Sequence, residues 1–99
     1  MLEVTIFLDE DDMYEGHSLH QHIMHYLIHH HMLGASIFAA LGGFGHKRHL
    51  NYPKRLGAAD EEPLMIIFID EEEKVREVLP HLKEIVKEGL IVAKKVERI

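Results

Sequence analysis

Histidines are concentrated between residues 17 and 31, and imidazole is a common ligand of transition metals. His22, His25 and His29 fall in one narrow stripe of a helix, with His25 and His29 four residues apart, the spacing at which two imidazoles share an ion. This stripe is a candidate site for zinc, nickel or copper. Two alternatives are a polar helix face without a ligand, and a protein contact through neighbouring apolar residues, which are Met24, Ile28 and Met32.

A second chemically distinctive segment combines glycines, an aromatic ring and positive charge, in the order Gly43, Phe44, Gly45, His46, Lys47 and Arg48. Glycines let a backbone approach an anion closely, and Lys47 and Arg48 supply positive charge, so the segment suits phosphate. The six residues are therefore a candidate phosphate-binding segment. The alternative is a glycine-rich strand exit followed by a solvated basic stretch, because the spacing is not that of a P-loop and no obvious helix follows.

The carboxylates of Asp9–Asp12 and Glu15 have the chemistry of general acids, general bases and magnesium ligands. An acidic turn after a strand is nevertheless typical of a solvated loop. The chain has no cysteine, Ser18 is placed to begin a helix, and no spacing combines a nucleophile with a base and an orienting group. We therefore predict a binding protein and no enzyme.

Composition sets the class of protein. The 99 residues, 46% of them hydrophobic, suffice for one domain over 1–99 and are too few for two. A net charge of −6 argues against a nucleic-acid partner, and residues 1–46 carry no lysine or arginine. No apolar run is long enough to cross a membrane, and the start of the sequence lacks the basic region of a signal peptide. We expect a cytoplasmic protein.

Hydrophobic periodicity predicts the elements that position these residues. The prediction is a strand over 2–8, a helix over 18–33, a strand over 35–41, a long loop over 42–62, a strand from 63, a helix over 70–89 and a strand over 90–99. The run at 35–41 is apolar almost throughout, which is typical of a central strand covered on both faces. Pro80 falls inside the second helix, which we expect to continue through it.

Three further features mark the ends of the helices. Ser18 and Gln21 have the spacing of a capping box, and Gly34 is placed to end the first helix in the left-handed conformation. Asp70 and Glu73 form a second capping pair.

The first helix also contains His30, whose angle places it beside Leu19, Ile23 and Leu27. We expect a neutral, hydrogen-bonded core histidine there, because a charged imidazole is costly to bury among apolar side chains.

Two strand-helix-strand units fold most simply into a four-stranded antiparallel sheet with both helices on one face, the ferredoxin-like βαββαβ sandwich of the α+β class. The other face of the sheet then lacks a helical cover. Phe7, Phe38 and Phe68 occupy strand positions from which some should project onto that face, and an apolar bare face favours pairing with another copy of the chain.

Several short motifs resemble, in order and spacing, those of the PII-like domain of unknown function 190. They are Asp11–Gly16, Gly34 with Ala35, Gly43–Gly45, the strand from Pro63 that ends in Asp70–Glu72, Leu79 with Pro80, and Glu88–Leu90. The resemblance covers nearly the whole chain. PII signalling proteins, to which the family is related, share the Gly-Phe-Gly motif followed by basic residues at the base of a long loop.

The resemblance implies a ferredoxin-like fold and a homotrimer. It also implies an adenine nucleotide or another small effector in the cleft between subunits, at Gly43–Arg48, and a long loop at 42–62 that contacts a partner protein. PII proteins carry a glycine-rich phosphate-holding turn between the second helix and the last strand. The corresponding residues here are Lys87, Glu88 and Gly89, with one glycine and one carboxylate.

Overall fold

The computed structural model describes residues 1–45, 50 and 62–99, so most of the predicted loop over 42–62 lies outside the described residues. The elements in chain order are β1 (Leu2–Asp9), β2 (Met13–Tyr14), β3 (His17–Ser18), α1 (Leu19–His29), β4 (Ala35–Ala39), β5 (Pro63–Asp70), α2 (Glu72–Ile85) and β6 (Leu90–Lys95). Neither of the two helices in these ranges has the length and apolar character needed to span a bilayer.

The main sheet has the strand order β4-β5-β1-β6, and every neighbouring pair is antiparallel. β1 occupies a central position, where Leu2 pairs with Asp70 of β5 on one side and with Lys95 of β6 on the other. This order and the packing of both helices on one face are those of a ferredoxin-like fold. The predicted α+β architecture is confirmed.

A single apolar core fills the space between the sheet and the helices. Alternate residues of β1 point into it, and both helices contribute one stripe each, as the period-two and 3.6-residue patterns predict. The core side chains from these three elements are Leu2, Val4, Ile6, Leu8, Leu19, Ile23, Leu27, Val75, Val78, Leu82 and Ile85. Full burial of one such side chain stabilises the fold by about 1.5–3 kcal/mol, so the pattern alone specifies the helix-covered face.

The opposite face of the sheet is largely apolar, and neither α1 nor α2 packs on it. Its apolar residues, identified from the strand register, are Phe7, Phe38, Met65, Ile67, Ile69, Leu90 and Val92. Phe7 is 42% exposed and Phe38 is 48% exposed, whereas Phe68 lies in the core. Two of the three strand phenylalanines therefore project away from the helices. We call this surface the bare face.

The strand predicted over 35–41 is shorter and lies elsewhere than expected. β4 covers Ala35–Ala39 and forms an edge of the sheet, paired only with β5 among the described strands. Most of its residues are exposed. The expectation of a central strand covered on both faces is wrong for the single chain. In the ferredoxin-like topology the second strand of the motif, here β4, lies at the edge of the sheet, next to the third strand, β5.

The first helix ends four residues before the predicted position. α1 stops at His29, and the N–H groups of His31 and Met32 donate to the carbonyls of Ile28 and Leu27, at 3.0 and 3.2 Å. This pair of bonds is a Schellman motif, in which the residue after the cap is left-handed. That residue is His31, with φ 57°, and Gly34 has no positive φ.

The early end of α1 also changes the place of His30. The residue is exposed, and its Nδ1 donates to the carbonyl of Tyr26 at 3.0 Å. The expected core histidine is therefore wrong, because the helix that would have carried His30 onto the sheet has already ended.

A short hairpin, β2 and β3, occupies the predicted acidic turn. Its two-residue loop is Glu15 and Gly16, both with positive φ, at 49° and 82°, as a type I′ hairpin requires. The hairpin leads directly into α1. The N–H of Leu19 donates to the carbonyl of Asp12 at 2.9 Å, and Ser18 makes no side-chain cap, so the predicted capping box does not form.

Asp70 ties three elements together. It is buried, and its carboxylate accepts hydrogen bonds from the N–H groups of Leu33, at 2.9 Å, and Glu71, at 2.7 Å. The Nζ of Lys74 lies 3.1 Å from the same carboxylate. The carboxylate thus joins the end of β5 to the start of α2 and to the segment after α1. The N-cap of α2 is Glu71, and the predicted pairing of Asp70 with Glu73 is not the cap observed.

We expect His31→Gly to stabilise the protein by about 0.5–1 kcal/mol, because glycine adopts the left-handed conformation without the steric cost of a Cβ. Urea unfolding measures the change. Gly34→Ala is the matched control and should lose no stability, because the position has open space and no positive φ. The opposite pattern, a loss at position 34 and no gain at 31, would place the helix end at Gly34.

We expect Asp70→Asn to lower the free energy of unfolding by about 2 kcal/mol at neutral pH, because an amide cannot accept from both N–H groups and attract Lys74. Burial works to raise the pKa of Asp70, but the bonds from Glu71, Lys74 and Leu33 outweigh it and lower the pKa below its usual 3.8.

A lowered pKa means that this stabilisation is fully present above the unfolded-state value, near pH 3.8, and is lost as the pH falls through the folded-state value. The difference in the free energy of unfolding between wild type and Asp70→Asn should therefore be constant near neutral pH and decrease below about pH 4. Glu71→Gln, an exposed neighbour, is the control. If this difference in unfolding free energy does not change in acid, the ionised carboxylate of Asp70 is not the stabilising group.

Candidate functional site

A cleft of about 420 Å³ opens where the predicted glycine segment meets the ends of the sheet strands. Three parts of the chain form it: the end of β1 with the start of β5, the glycine segment itself, and the turn from α2 into β6. The lining residues are Phe7, Leu8, Asp9, Asp12, Phe44, Gly45, Pro63, Leu64, Glu88, Gly89 and Leu90. Of the predicted ligand-binding residues, Phe44 and Gly45 line the cleft directly.

Of the other four predicted ligand residues, the structure describes only Gly43. Gly43 precedes Phe44 and lies beside Pro63, where an added Cβ would be 3.7 Å from the proline ring. His46, Lys47 and Arg48 lie outside the described residues, so their contribution stays a prediction.

Backbone hydrogen bonds hold both ends of the long loop at the cleft. The N–H of Ala40 donates to the carbonyl of Pro63 at 2.9 Å, and the N–H of Glu10 donates to the carbonyl of Glu62 at 2.8 Å. The chain therefore leaves the sheet before Gly43 and re-enters it at Pro63 within one small region. This geometry fixes the base of the loop beside the end of β1.

Gly89 is required for the third wall. A Cβ at this position would collide with the carbonyl oxygen of Phe7 and crowd the Cγ1 of Val86, at 2.9 Å. The turn from α2 into β6 thus passes directly over β1, and only glycine permits that approach. Sequence analysis noted Gly89 through the family resemblance but had no means of showing this contact.

The cleft combines apolar walls with carboxylates. The rings of Phe7 and Phe44 and the side chain of Leu90 supply apolar surface, and Asp12 and Glu88 supply acceptors. Such a lining suits a planar ligand that stacks on an aromatic ring and donates hydrogen bonds from amino groups.

A neighbouring hollow of about 300 Å³ shares Asp12 and Glu88 with the cleft and brings in Lys87. Lys87 is therefore a described cation beside the carboxylates. The two hollows together offer apolar, acceptor and cationic groups within one region of the surface.

The structure does not gather the predicted metal stripe on α1 into one site. The Nε2 of His22 lies 3.0 Å from the Nε2 of His81 on α2. His25 and His29 are exposed, and the Nδ1 of His29 donates to the carbonyl of His25 at 2.7 Å. A metal ion bound by His22, His25 and His29 stays a prediction.

Among the described residues, the carboxylates of Asp9, Asp11 and Asp12 form the only group of three potential ligand side chains within 4.8 Å of one another. The N–H of Asp9 donates to Asp12 Oδ2 at 3.0 Å, so part of this group is engaged in the turn itself.

His22 and His81 belong to an aromatic cluster between the hairpin and the two helices. Tyr14 lies over His22 with ring centroids 4.4 Å apart, and Tyr26 lies over His81 at the same separation. Burial, followed by the neighbouring His81, lowers the pKa of His22, and burial raises the pKa of Tyr26. Sequence analysis missed His81, although its position three residues after Val78 places it at the margin of the apolar stripe of α2.

The family of the chain follows from a match over almost all of its length. The family described as "Uncharacterized ACR" and designated DUF190 matches residues 1–98. The chain belongs to the DUF190 family. DUF190 is a PII-like family of unknown function, so the resemblance noted from the sequence motifs is confirmed.

Two DUF190-type relatives are similar to this chain. A UPF0166 protein of Aquifex aeolicus is 30% identical over 96 residues, which cover 97% of this chain and 90% of that protein. A UPF0166 protein of Methanocaldococcus jannaschii is 34% identical over 91 residues, covering 90% of this chain and 82% of that protein.

We expect Gly89→Ala to destabilise the protein by about 2 kcal/mol or more, because the methyl group must displace the backbone of β1 or β6. Urea unfolding followed by circular dichroism measures the loss. Gly45→Ala, in the same cleft but with no heavy atom within 4 Å, should change stability by less than about 0.5 kcal/mol. Equal effects at the two positions would show that the α2–β6 turn is not pressed onto β1.

Proposed function

We propose that this DUF190 protein is a regulatory binding module that takes a small effector, an adenine nucleotide, in the cleft at Phe44, Gly45 and Gly89. The observation that carries the proposal is the meeting of the glycine segment with the α2–β6 turn in one cleft. These two segments are far apart in the sequence. The glycine segment is the part to which the resemblance assigns the effector, and the α2–β6 turn stands where PII proteins carry their phosphate-holding turn.

The chemistry of the lining supports an adenine nucleotide in particular. An adenine ring is planar and apolar on its faces, which suits the ring of Phe44, and its exocyclic amino group is a donor for a carboxylate such as Glu88. The phosphates need positive charge. Lys87 beside the cleft and the sequence neighbours Lys47 and Arg48 offset the acidic groups and supply it.

The bare face supports an assembly of several copies, for which we propose a homotrimer. Phe7 and Leu90 are exposed on the bare face and also line the cleft. A second copy packed on the bare face would therefore reach the edge of the cleft and cover ligand surface that one chain leaves open. The effector would then be bound between subunits.

The long loop is the proposed contact for a partner protein. Its two ends lie at the cleft, so an effector held by Phe44 and Gly45 touches the base of the loop directly. Ligand binding at the base of the loop would change the surface that the partner meets.

The proposed role is binding without catalysis. Among the described lining residues of the cleft, the polar side chains are all carboxylates, which can accept hydrogen bonds from the amino groups of a ligand.

We expect calorimetry with ATP, ADP and AMP to detect binding of at least one of them to the wild-type protein. Phe44→Ala should weaken that binding about tenfold, because stacking on the ring contributes roughly 1–1.5 kcal/mol. The double variant Lys47→Ala with Arg48→Ala should weaken the binding of each nucleotide, and the loss of affinity should increase with the number of phosphates.

Matched controls separate the cleft from general effects on the surface. Ile28→Ala removes an equally exposed apolar side chain from α1, and Lys83→Ala with Arg98→Ala removes the same charge outside the cleft. Both controls should bind as wild type does. Native mass spectrometry of the same preparation should show three chains with nucleotide. Absence of binding for all three nucleotides would overturn the adenine assignment, and a monomer would overturn the site between subunits.

A further inference from the structure

The pair formed by His22 and His81 lies outside the cleft and joins the two helices on the side away from the sheet's bare face. The two Nε2 atoms are 3.0 Å apart. A proton or a metal ion can bridge the two nitrogens. Both side chains are partly buried, which restricts the motion of each ring. The pair unites residues that are 59 positions apart in the chain.

The separation of the nitrogens is itself informative. Nitrogen ligands lie about 2.1 Å from a bound divalent transition metal, so two nitrogens 3.0 Å apart subtend an angle of about 90° at the ion. That is the angle between neighbouring ligands in square-planar, tetragonal and octahedral coordination, which copper and nickel favour. A tetrahedral zinc ion would require the pair to open by a few tenths of an ångström, since its angle is about 109°.

The surroundings hold the two rings in place. Tyr14 from the hairpin covers His22, and Tyr26 from α1 covers His81, each with centroids 4.4 Å apart. The rings are thus fixed before an ion arrives, which reduces the entropy lost on binding. Among the described residues, no third histidine or carboxylate has a ligand atom within 4.8 Å of both nitrogens, so the other coordination positions face solvent.

We propose that His22 and His81 are the two anchoring ligands of a site for a divalent transition metal, Ni²⁺ or Cu²⁺. Water supplies the remaining ligands. The site differs from the stripe of His22, His25 and His29, because its second anchor comes from α2. It is also independent of the proposed nucleotide cleft, which shares none of these residues.

Calorimetric titration of the nucleotide-free protein with NiCl₂ tests the proposal. Wild type should show one site per chain that is tighter than the remaining surface histidines. His81→Gln and His22→Gln should each weaken that site by about tenfold or more, since each removes an anchoring ligand. His25→Gln and His29→Gln are matched controls on the exposed surface of α1 and should leave the site unchanged.

The result that overturns the proposal is equally specific. If His81→Gln binds Ni²⁺ as wild type does, or if His25→Gln and His29→Gln weaken binding as much as His81→Gln does, the pair on the two helices is not the site. The pair would then serve only as a hydrogen bond between two imidazoles that joins α1 to α2.

A second measurement on wild type avoids variants that fail to fold. On adding a small fraction of one equivalent of NiCl₂, the paramagnetic ion should broaden the imidazole resonances of His22 and His81 together in NMR spectra before those of His25 and His29. Broadening that begins at His25 and His29, or that affects all four histidines equally, would overturn the proposal. Nucleotide binding plays no part in either experiment, so failure of the metal site and failure of the cleft are distinguishable.

Discussion

Strand β1 is paired on both sides, and its register against β5 and β6 constrains the rest of the molecule. The pairing of Asp9 with Pro63 brings the end of β1 to the base of the long loop, and the pairing of Phe7 with Leu90 brings the start of β6 to the same place. A slip of one residue would turn every core side chain of β1 outward. The hydrophobic burial of Leu2, Val4, Ile6 and Leu8 therefore sets the position of the cleft as well as the stability of the fold.

The features predicted correctly from the sequence are those that depend on local periodicity. The apolar alternation of β1 and the stripe of α2, which continues through Pro80, have the expected form. The errors arise where a distant partner decides the outcome. Asp70 accepts from Leu33 in place of a helix cap, and β4 is an edge strand because the connection of the strands, and not its own composition, places it there.

The candidate sites show the same division. The glycine segment is visible in the sequence, and family resemblance linked it to the turn at Gly89, yet the contact of that turn with the Phe7 carbonyl needed three-dimensional coordinates. The histidine stripe on α1 was evident from spacing, but spacing along one helix carries no information about the facing helix. His81, a single histidine in an otherwise ordinary amphipathic segment, therefore went unnoticed.

The ring of Phe7 belongs to two surfaces, because it lies on the bare face of the sheet and also lines the cleft. In the proposed assembly, association of the chains and occupancy of the cleft share this side chain, so their equilibria are thermodynamically coupled. The factor by which the effector raises the affinity between chains must equal the factor by which a neighbouring chain raises the affinity for the effector. The protein concentration in the cell would then set effector sensitivity, and dilution alone would release the ligand.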